Sequence, residues 1–364
     1  MLHLSSLKCS TVHIFKGYAQ IAKILVTGAS GFVGSHILET LSSIKHSDIE
    51  VVAACRDASK LIPQYSGEVR VGDLRDPEYL DRVLAGVDII CHAAGWSSFE
   101  NSGKQCSQAY LEPTMDLINR AIEWRVRRFV NLSSLYVSTP RHRNNVNMPG
   151  KPRRHWPMIN CLIAVESFLN AYAENNVNSR CQFINLRVGL YSGKRLNMGL
   201  LPLLLARSGL STLPYMTGPV GHLPLTDGRD IGQAFVRAAL APGEKIYQNI
   251  NIAGPSTPSH SQVMNFIAEQ IQQKPLAMGM PAPLASSLLW LQGKTRRIGK
   301  RPLFTAAMLD LLKSPPINNS QAIELLGYDP EISWQASLLD TLELHKNQLL
   351  NDELSQQIRT MNIH

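Results

Sequence analysis

The chain is 364 residues long, 44% apolar and 18% charged, with a formal net charge of +8. That balance excludes a largely disordered chain, and no run of about 18 apolar residues offers a membrane-spanning helix. The basic residues are scattered without interleaved aromatics, which argues against a nucleic-acid partner and leaves anionic ligands or a membrane surface as matches for the charge.

Residues 1–22 carry Lys8 and Lys16 and no acidic side chain, yet lack arginine and a continuous apolar stretch. They read as an extension ahead of the fold rather than a targeting segment. Strands and helices then alternate: strand 23–27, helix 31–43, strand 49–54, helix 76–84, strand 87–92, helix 108–124, strand 127–132, helix 159–175 and strand 182–188. That order predicts an α/β fold, a doubly wound parallel sheet of the Rossmann type. After Gly189 the repeat breaks into Leu-, Pro- and Gly-rich segments. It resumes at Leu225–Leu240, where Asp230 is expected to open a helix, and at a strand over Tyr247–Ile252. Six cysteines (Cys9, Cys55, Cys91, Cys106, Cys161, Cys181) have no CxxC or metal-like spacing, so reduced, buried thiols of a cytoplasmic protein and no metal site are expected.

The most informative stretch is 24–38, ILVTGASGFVGSHIL: an apolar strand, a glycine turn and the start of an amphipathic helix. A helix N-terminus reached through such a turn presents free backbone N–H groups and a positive dipole end to a pyrophosphate. Gly28 permits the tight turn, Gly31 lets the backbone approach phosphates, and Gly34 lets the helix pack on the strand. Thr27, Ser30, Phe32 and Val33 complete the cradle.

The TGxxGxxG spacing, with Thr27 first, resembles the extended branch of the short-chain dehydrogenase/reductase superfamily. That branch holds epimerases, dehydratases, and 3β-hydroxysteroid or dihydroflavonol-type reductases. Further landmarks follow in the family's order: Gly72-Asp73-Leu74, Cys91-His92-Ala93-Ala94-Gly95, Leu132-Ser133-Ser134, Leu186-Arg187-Val188 and Leu325-Leu326-Gly327-Tyr328-Asp329-Pro330. The resemblance implies an extension (1–22), a dinucleotide-binding Rossmann domain (23–190 and 225–254), a smaller substrate lobe (191–224 and 255–345) and a tail (346–364). It also places Asp73 and Leu74 at the adenine and Ala93, Ala94 and Gly95 beside the cofactor.

The second strand ends in Cys55-Arg56-Asp57. An arginine there pairs with the 2′-phosphate of NADP, whereas an acidic residue accepts from the ribose hydroxyl of NAD. Arg56, with Lys60 as a second cation, favours NADP. Asp57 keeps NAD as the alternative.

Hydride transfer in this superfamily uses a tyrosine whose pKa, ordinarily about 10, is pulled down by a lysine four residues later. A serine at the fifth strand's end adds a hydrogen bond to the substrate, and Ser134 matches it. Family members read roughly YxxSKxxAE on the next helix. Aligned on Glu166, Met158 stands for the tyrosine and Leu162 for the lysine, and no YxxxK occurs anywhere in the chain. Leu111 stands for the usual asparagine of the preceding helix. Neither a thioether nor an isobutyl group moves a proton at neutral pH. Replacement groups near the site are His155 and Tyr136, with Tyr191 and His222 from the lobe; a loop histidine and a packed tyrosine are the plainer readings of the first two.

Residues 282–305 join an apolar stretch to Lys294, Arg296, Arg297, Lys300 and Arg301. They read as a clamp for an anionic substrate, a peripheral contact of 282–301 with anionic lipid, or an ordinary solvated helix end. Family resemblance further implies a small-molecule substrate and a homodimer through the long helices flanking Ser134. The expected function is an NADP(H)-binding oxidoreductase or epimerase for a hydrophobic or sugar-bearing alcohol or ketone. The alternative is a catalytically inactive sensor or scaffold.

Overall fold

Ile24 and Val26 point to one face of strand β1 (Ala22–Thr27) and Leu25 to the other, and all three are fully buried. A strand apolar on both faces belongs in the middle of a parallel sheet covered on each side. In the computed structural model it lies there, in a seven-stranded parallel sheet of order β10-β6-β5-β4-β1-β2-β3. Its other strands are β2 (Ile49–Cys55), β3 (Glu68–Val71), β4 (Ile89–His92), β5 (Arg128–Ser134), β6 (Gln182–Val188) and β10 (Tyr247–Ile252). The structure describes residues 22–44, 48–95, 102–147, 149–197, 215–217, 221–243, 245–270, 279–281, 287, 307, 310–311 and 313–345.

One face of the sheet is covered by α1 (Phe32–Ser43) and α6 (Gly228–Leu240), which pack on each other over Ile24, Val26, Val130, Ile184 and Ile250. The opposite face carries α2 (Pro77–Leu84), α3 (Gly103–Cys106), α4 (Glu112–Glu123) and α5 (Pro157–Asn175) over Leu25, Phe129 and Phe183. Short parallel pairs β7 (Leu190–Ser192) with β9 (Leu225–Asp227), and β8 (Tyr215–Thr217) with β11 (Gly279–Pro281), lie outside the main sheet. Helix α7 (His260–Gln270), helix α8 (Ser320–Leu326) and a helical segment 334–345 follow.

The Rossmann expectation holds, and the differences have local causes. Strand β3 was not expected: it is a four-residue sheet edge, and its Val69 and Val71 face solvent, leaving no buried apolar run to read. The helix expected over 108–124 begins at Gly103, behind a Ser102 capping box, and passes through a π-turn at Ser107–Leu111. Pro113 lacks the N–H that would bond the Ala109 carbonyl, and Glu112 N–H reaches back to Ser107 O instead. Asp227, rather than Asp230, caps α6 by accepting from Arg229 N–H, while buried Asp230 accepts from Glu331 and Ile332 N–H. Segment 325–330 packs on the main sheet: Leu326 and Tyr328 join the α1/α6 cluster, and Tyr328 Oη donates to Ala253 O at 2.9 Å.

The five described cysteines, Cys55, Cys91, Cys106, Cys161 and Cys181, are free and buried. Among the described residues no helix is long and apolar enough to cross a membrane, and no His/Cys/Asp/Glu group could hold a metal ion. Cys9, the extension 1–21, the tail 346–364 and 282–301 apart from residue 287 lie outside the described residues.

Candidate active site

The strand order reverses between β1 and β4, and a doubly wound sheet opens its ligand crevice at the carboxyl ends of such a pair. The glycine turn sits at that point. Gly28 has φ +65, a left-handed conformation, and a Cβ there would meet Ala94 Cα and N at 2.6 Å. A Cβ on Gly34 would meet Gly28 O at 2.2 Å, so α1 can approach the strand only with glycine at that position. Gly31 is the exposed N-cap of α1 and has no side chain to satisfy the first-turn N–H groups of Phe32, Val33 and Gly34. Thr27 Oγ1 is bonded to His92 Nδ1, Ala93 N–H donates to Thr27 O at 3.2 Å, and Ser30 is half-buried. Ala93 and Ala94 thus close one wall of the turn, with Gly95 exposed at its rim.

On the β2–β3 side, Arg56 is exposed. Asp57 caps its own 3-10 turn, accepting from Ser59 N–H (3.0 Å) and Ser59 Oγ (2.7 Å), with Lys60 Nζ at 3.5 Å. Those bonds hold its carboxyl below the usual range. Asp73 is clasped by Arg75 through Nε at 3.0 Å and Nη2 at 2.6 Å, and its pKa falls to about 2. Leu74 packs half-buried on the α2/α4/α5 core.

On the other side Ser134 ends β5, and its Oγ accepts Tyr136 N–H at 3.3 Å. Helix α5 packs against β5 and the turn after it. Met158 is half-buried and Leu162 is 8% exposed, both in the apolar cluster with Ile159 and Tyr110. Leu111 is half-buried against the same cluster, and Tyr191 stacks on Phe32 at 5.6 Å between ring centroids.

Two of the expected replacement groups, Tyr136 and His155, are committed elsewhere. Tyr136 is 2% exposed, and its hydroxyl donates to Leu311 O at 3.1 Å. His155 Nε2 pairs with Asp310 Oδ2 at 3.1 Å, beside Arg153. Both therefore hold the 310–314 segment. His222 is engaged through its backbone, donating to Ser314 O at 3.1 Å and bridging Ser259.

Two polar rows beneath α5 escaped the sequence reading. Asn131, Asn185 and Asn249 are in register on β5, β6 and β10 and pass amide bonds of 2.9 Å along the row, ending on Val146 O. Next to it Glu166 binds Arg187 Nη2 at 2.5 Å and accepts from Ser133 Oγ at 2.5 Å, with both members of the ion pair fully buried. Glu166 and Arg187 were legible only as alignment landmarks, and an asparagine inside a strand announces no partner.

A dinucleotide suits these residues: the turn is a cradle that a single Cβ would fill, and the N-terminus of α1 has no side-chain cap.

The chain is 23% identical to a Dictyostelium discoideum protein named sterol-4-alpha-carboxylate 3-dehydrogenase, decarboxylating, over 86% of this chain and 98% of that one. A UDP-glucose 4-epimerase of Neisseria meningitidis is 35% identical over 20% of this chain and 24% of its own. Among solved structures, the epimerase Mth375 of Methanothermobacter thermautotrophicus superposes with a TM-score of 0.69 at 19% identity, covering 98% of this chain and 99% of that one. A Thermus thermophilus UDP-glucose 4-epimerase, solved with NAD, gives a TM-score of 0.64 at 19% identity over 89% and 99%. These structures share the fold. Residues 24–253, from the first strand through β10, match the NAD dependent epimerase/dehydratase family, and the chain belongs to it.

Proposed function

We propose that this chain binds NADP(H), with NAD as the alternative. We propose further that it acts as an oxidoreductase or epimerase on a small hydrophobic or sugar-bearing alcohol or ketone, through a site that does without the Tyr/Lys pair. The observation that carries the reading is the left-handed Gly28 turn opening onto the uncapped N-terminus of α1 at the switch point of the sheet. Bound there, the dinucleotide would supply the hydride donor or acceptor. The first-turn N–H groups of α1 would hold its pyrophosphate. Arg56 would meet a 2′-phosphate, and the commitment of Asp57 to Ser59 and Lys60 weakens the NAD alternative. Ser134, whose oxygen already accepts Tyr136 N–H, keeps its own proton for a substrate oxygen.

Met158 and Leu162 present an apolar wall where the family keeps its acid/base pair, which favours a hydrophobic substrate face. The steroid-type relative and the sugar-nucleotide epimerases among the neighbours bracket that substrate class. The second reading, a dinucleotide-binding protein without turnover, draws on the same wall and on the commitment of Tyr136 and His155 to the 310–314 segment.

Fluorescence titration with NADPH and NADH tests the proposal, using Gly31→Asp as the control. Aspartate is a favoured N-cap, its Cβ would stand 3.1 Å from Gly28 O, and its carboxylate would lie where the pyrophosphate would dock, so a melting curve accompanies the titration. Binding of NADPH in preference to NADH, abolished in the variant, is the expected result. Wild-type protein that binds neither dinucleotide overturns it.

A further inference from the structure

A second concavity lies away from the glycine turn, where β10 forms one edge of the main sheet. It measures about 280 Å³ and is enclosed by α5, β10, the 147–149 loop and α8. Strands β6 and β5 stand between β10 and β4, so about 14 Å of sheet separates it from the crevice at the switch point.

Its wall is made of amides. Asn147, Asn170, Gln248, Asn249 and Gln321 line it with Lys245, and no carboxylate lines it among the described residues. Asn249 is 7% exposed and fixed at both ends of its amide: Oδ1 accepts from Asn185 Nδ2 at 2.9 Å, and Nδ2 donates to Val146 O at 3.0 Å. Asn170 Nδ2 donates to Glu174 Oε1 at 2.8 Å, which leaves its Oδ1 as an acceptor. The side chains of Asn147, Gln248, Gln321 and Lys245 make no hydrogen bond or ion pair with another described residue.

The chemistry of that wall selects its occupant. An amide offers two N–H donors and a carbonyl acceptor, which suits a hydroxyl group, itself both donor and acceptor. A lysine with no carboxylate beside it suits a single negative charge. Apolar surface comes only from Pro149 and from Tyr247, whose hydroxyl is engaged with Glu166 O at 3.2 Å. A hydrophobic ligand therefore finds little to bury. The volume falls just short of the range of about 300–1,000 Å³ typical of drug-sized sites, so the occupant has the size of one sugar ring.

We propose that this cavity is a second small-molecule site, which takes a hydroxylated carboxylate of the sugar-acid class. Lys245 meets the carboxylate, and the amides of Asn170, Gln248 and Gln321 bind the hydroxyls. The inference is independent of the dinucleotide reading, because no lining residue belongs to the glycine turn or to the wall around Ser134.

Isothermal titration of the full chain with D-galacturonate, D-galactose and galactose 6-phosphate tests this, using Lys245→Met, Gln248→Leu and, as control, Lys104→Met at an exposed lysine of α3. Galacturonate should bind the wild type. Its affinity should fall about 10-fold or more in Lys245→Met and about 3- to 10-fold in Gln248→Leu, and stay unchanged in Lys104→Met. Galactose, which has no charge for the lysine to meet, should bind the wild type and Lys245→Met equally. Lys245 is exposed and Gln248 half-buried, so all three variants should melt with the wild type. Absence of galacturonate binding to the wild type, or equal binding to Lys245→Met, overturns the site. An equal loss in Lys104→Met shows general charge attraction and overturns it too. Tighter binding of galactose 6-phosphate than of galacturonate overturns the carboxylate class.

Discussion

Thr27 Oγ1 and His92 Nδ1 meet at 2.8 Å, joining the carboxyl ends of β1 and β4 on either side of the switch point. His92 Nε2 continues the chain to Thr114 on α4 at 3.2 Å. One buried imidazole thus ties both strands that flank the glycine turn to a covering helix.

That placement predicts acid sensitivity. Burial pushes the His92 pKa from the ordinary 6.5 down to about 4, so as pH falls the unfolded chain takes up this proton first. The contribution is fully present above pH 6.5 and is lost as pH falls toward 4, by at most about 3 kcal/mol. His92→Gln should therefore melt below wild type at pH 7, with the gap narrowing steadily toward pH 4. A gap that is constant with pH would show that His92 does not titrate in this window.

The Glu166–Arg187 pair makes a sharper prediction about stability. Both side chains are fully buried, and Glu166 also accepts from Ser133 Oγ. Glu166→Gln would leave the Arg187 charge uncompensated beneath α5, at a cost of about 3–5 kcal/mol. Urea unfolding reads the loss directly, and a change under about 1 kcal/mol would mean that water reaches the pair.

Arg143 should latch the 310–314 segment. It is fully buried, donates to Lys313 O, Ser314 Oγ and Asp310 O, and lies 4.4 Å from the centre of the Tyr136 ring. Arg143→Leu removes those bonds and strands three acceptors, for a loss of about 2–4 kcal/mol. Limited proteolysis should then cut near 310–314 sooner than in wild type; an unchanged digestion pattern would refute the latch.

Introducing a tyrosine at Met158 and a lysine at Leu162 tests the proposed site. Met158 is half-buried and should accept tyrosine with little loss, whereas Leu162 is 8% exposed in an apolar cluster. Leu162→Lys should destabilise the free protein by about 2 kcal/mol or more, and bound dinucleotide should recover part of that. Thermal shifts of both single variants and the double variant, with and without NADPH, give the answer. Full tolerance of the lysine in free protein would show that the wall is wetter than its packing indicates.

Much of this was legible in the chain itself. Apolar strand runs, helix-period faces and the glycine spacing of 24–38 each depend on nearby residues, so they predicted the parallel order and the turn. Strand β3 was not legible, because a short solvent-facing edge lacks the buried pattern that marks a strand. Tyr136 and His155 could be named as site candidates but not excluded from proton chemistry. Their partners, Leu311 and Asp310, lie more than 150 residues away.

The sequence by itself determined the local chemistry: which residues could turn, cap, bury or carry charge. Only the tertiary structure decided which polar groups are used up. The row Asn131–Asn185–Asn249 and the Glu166–Arg187 pair both arise from strand register and helix docking. A hydrogen bond has a length and a direction that residue identity does not encode, so its presence or absence appears only when distant segments meet.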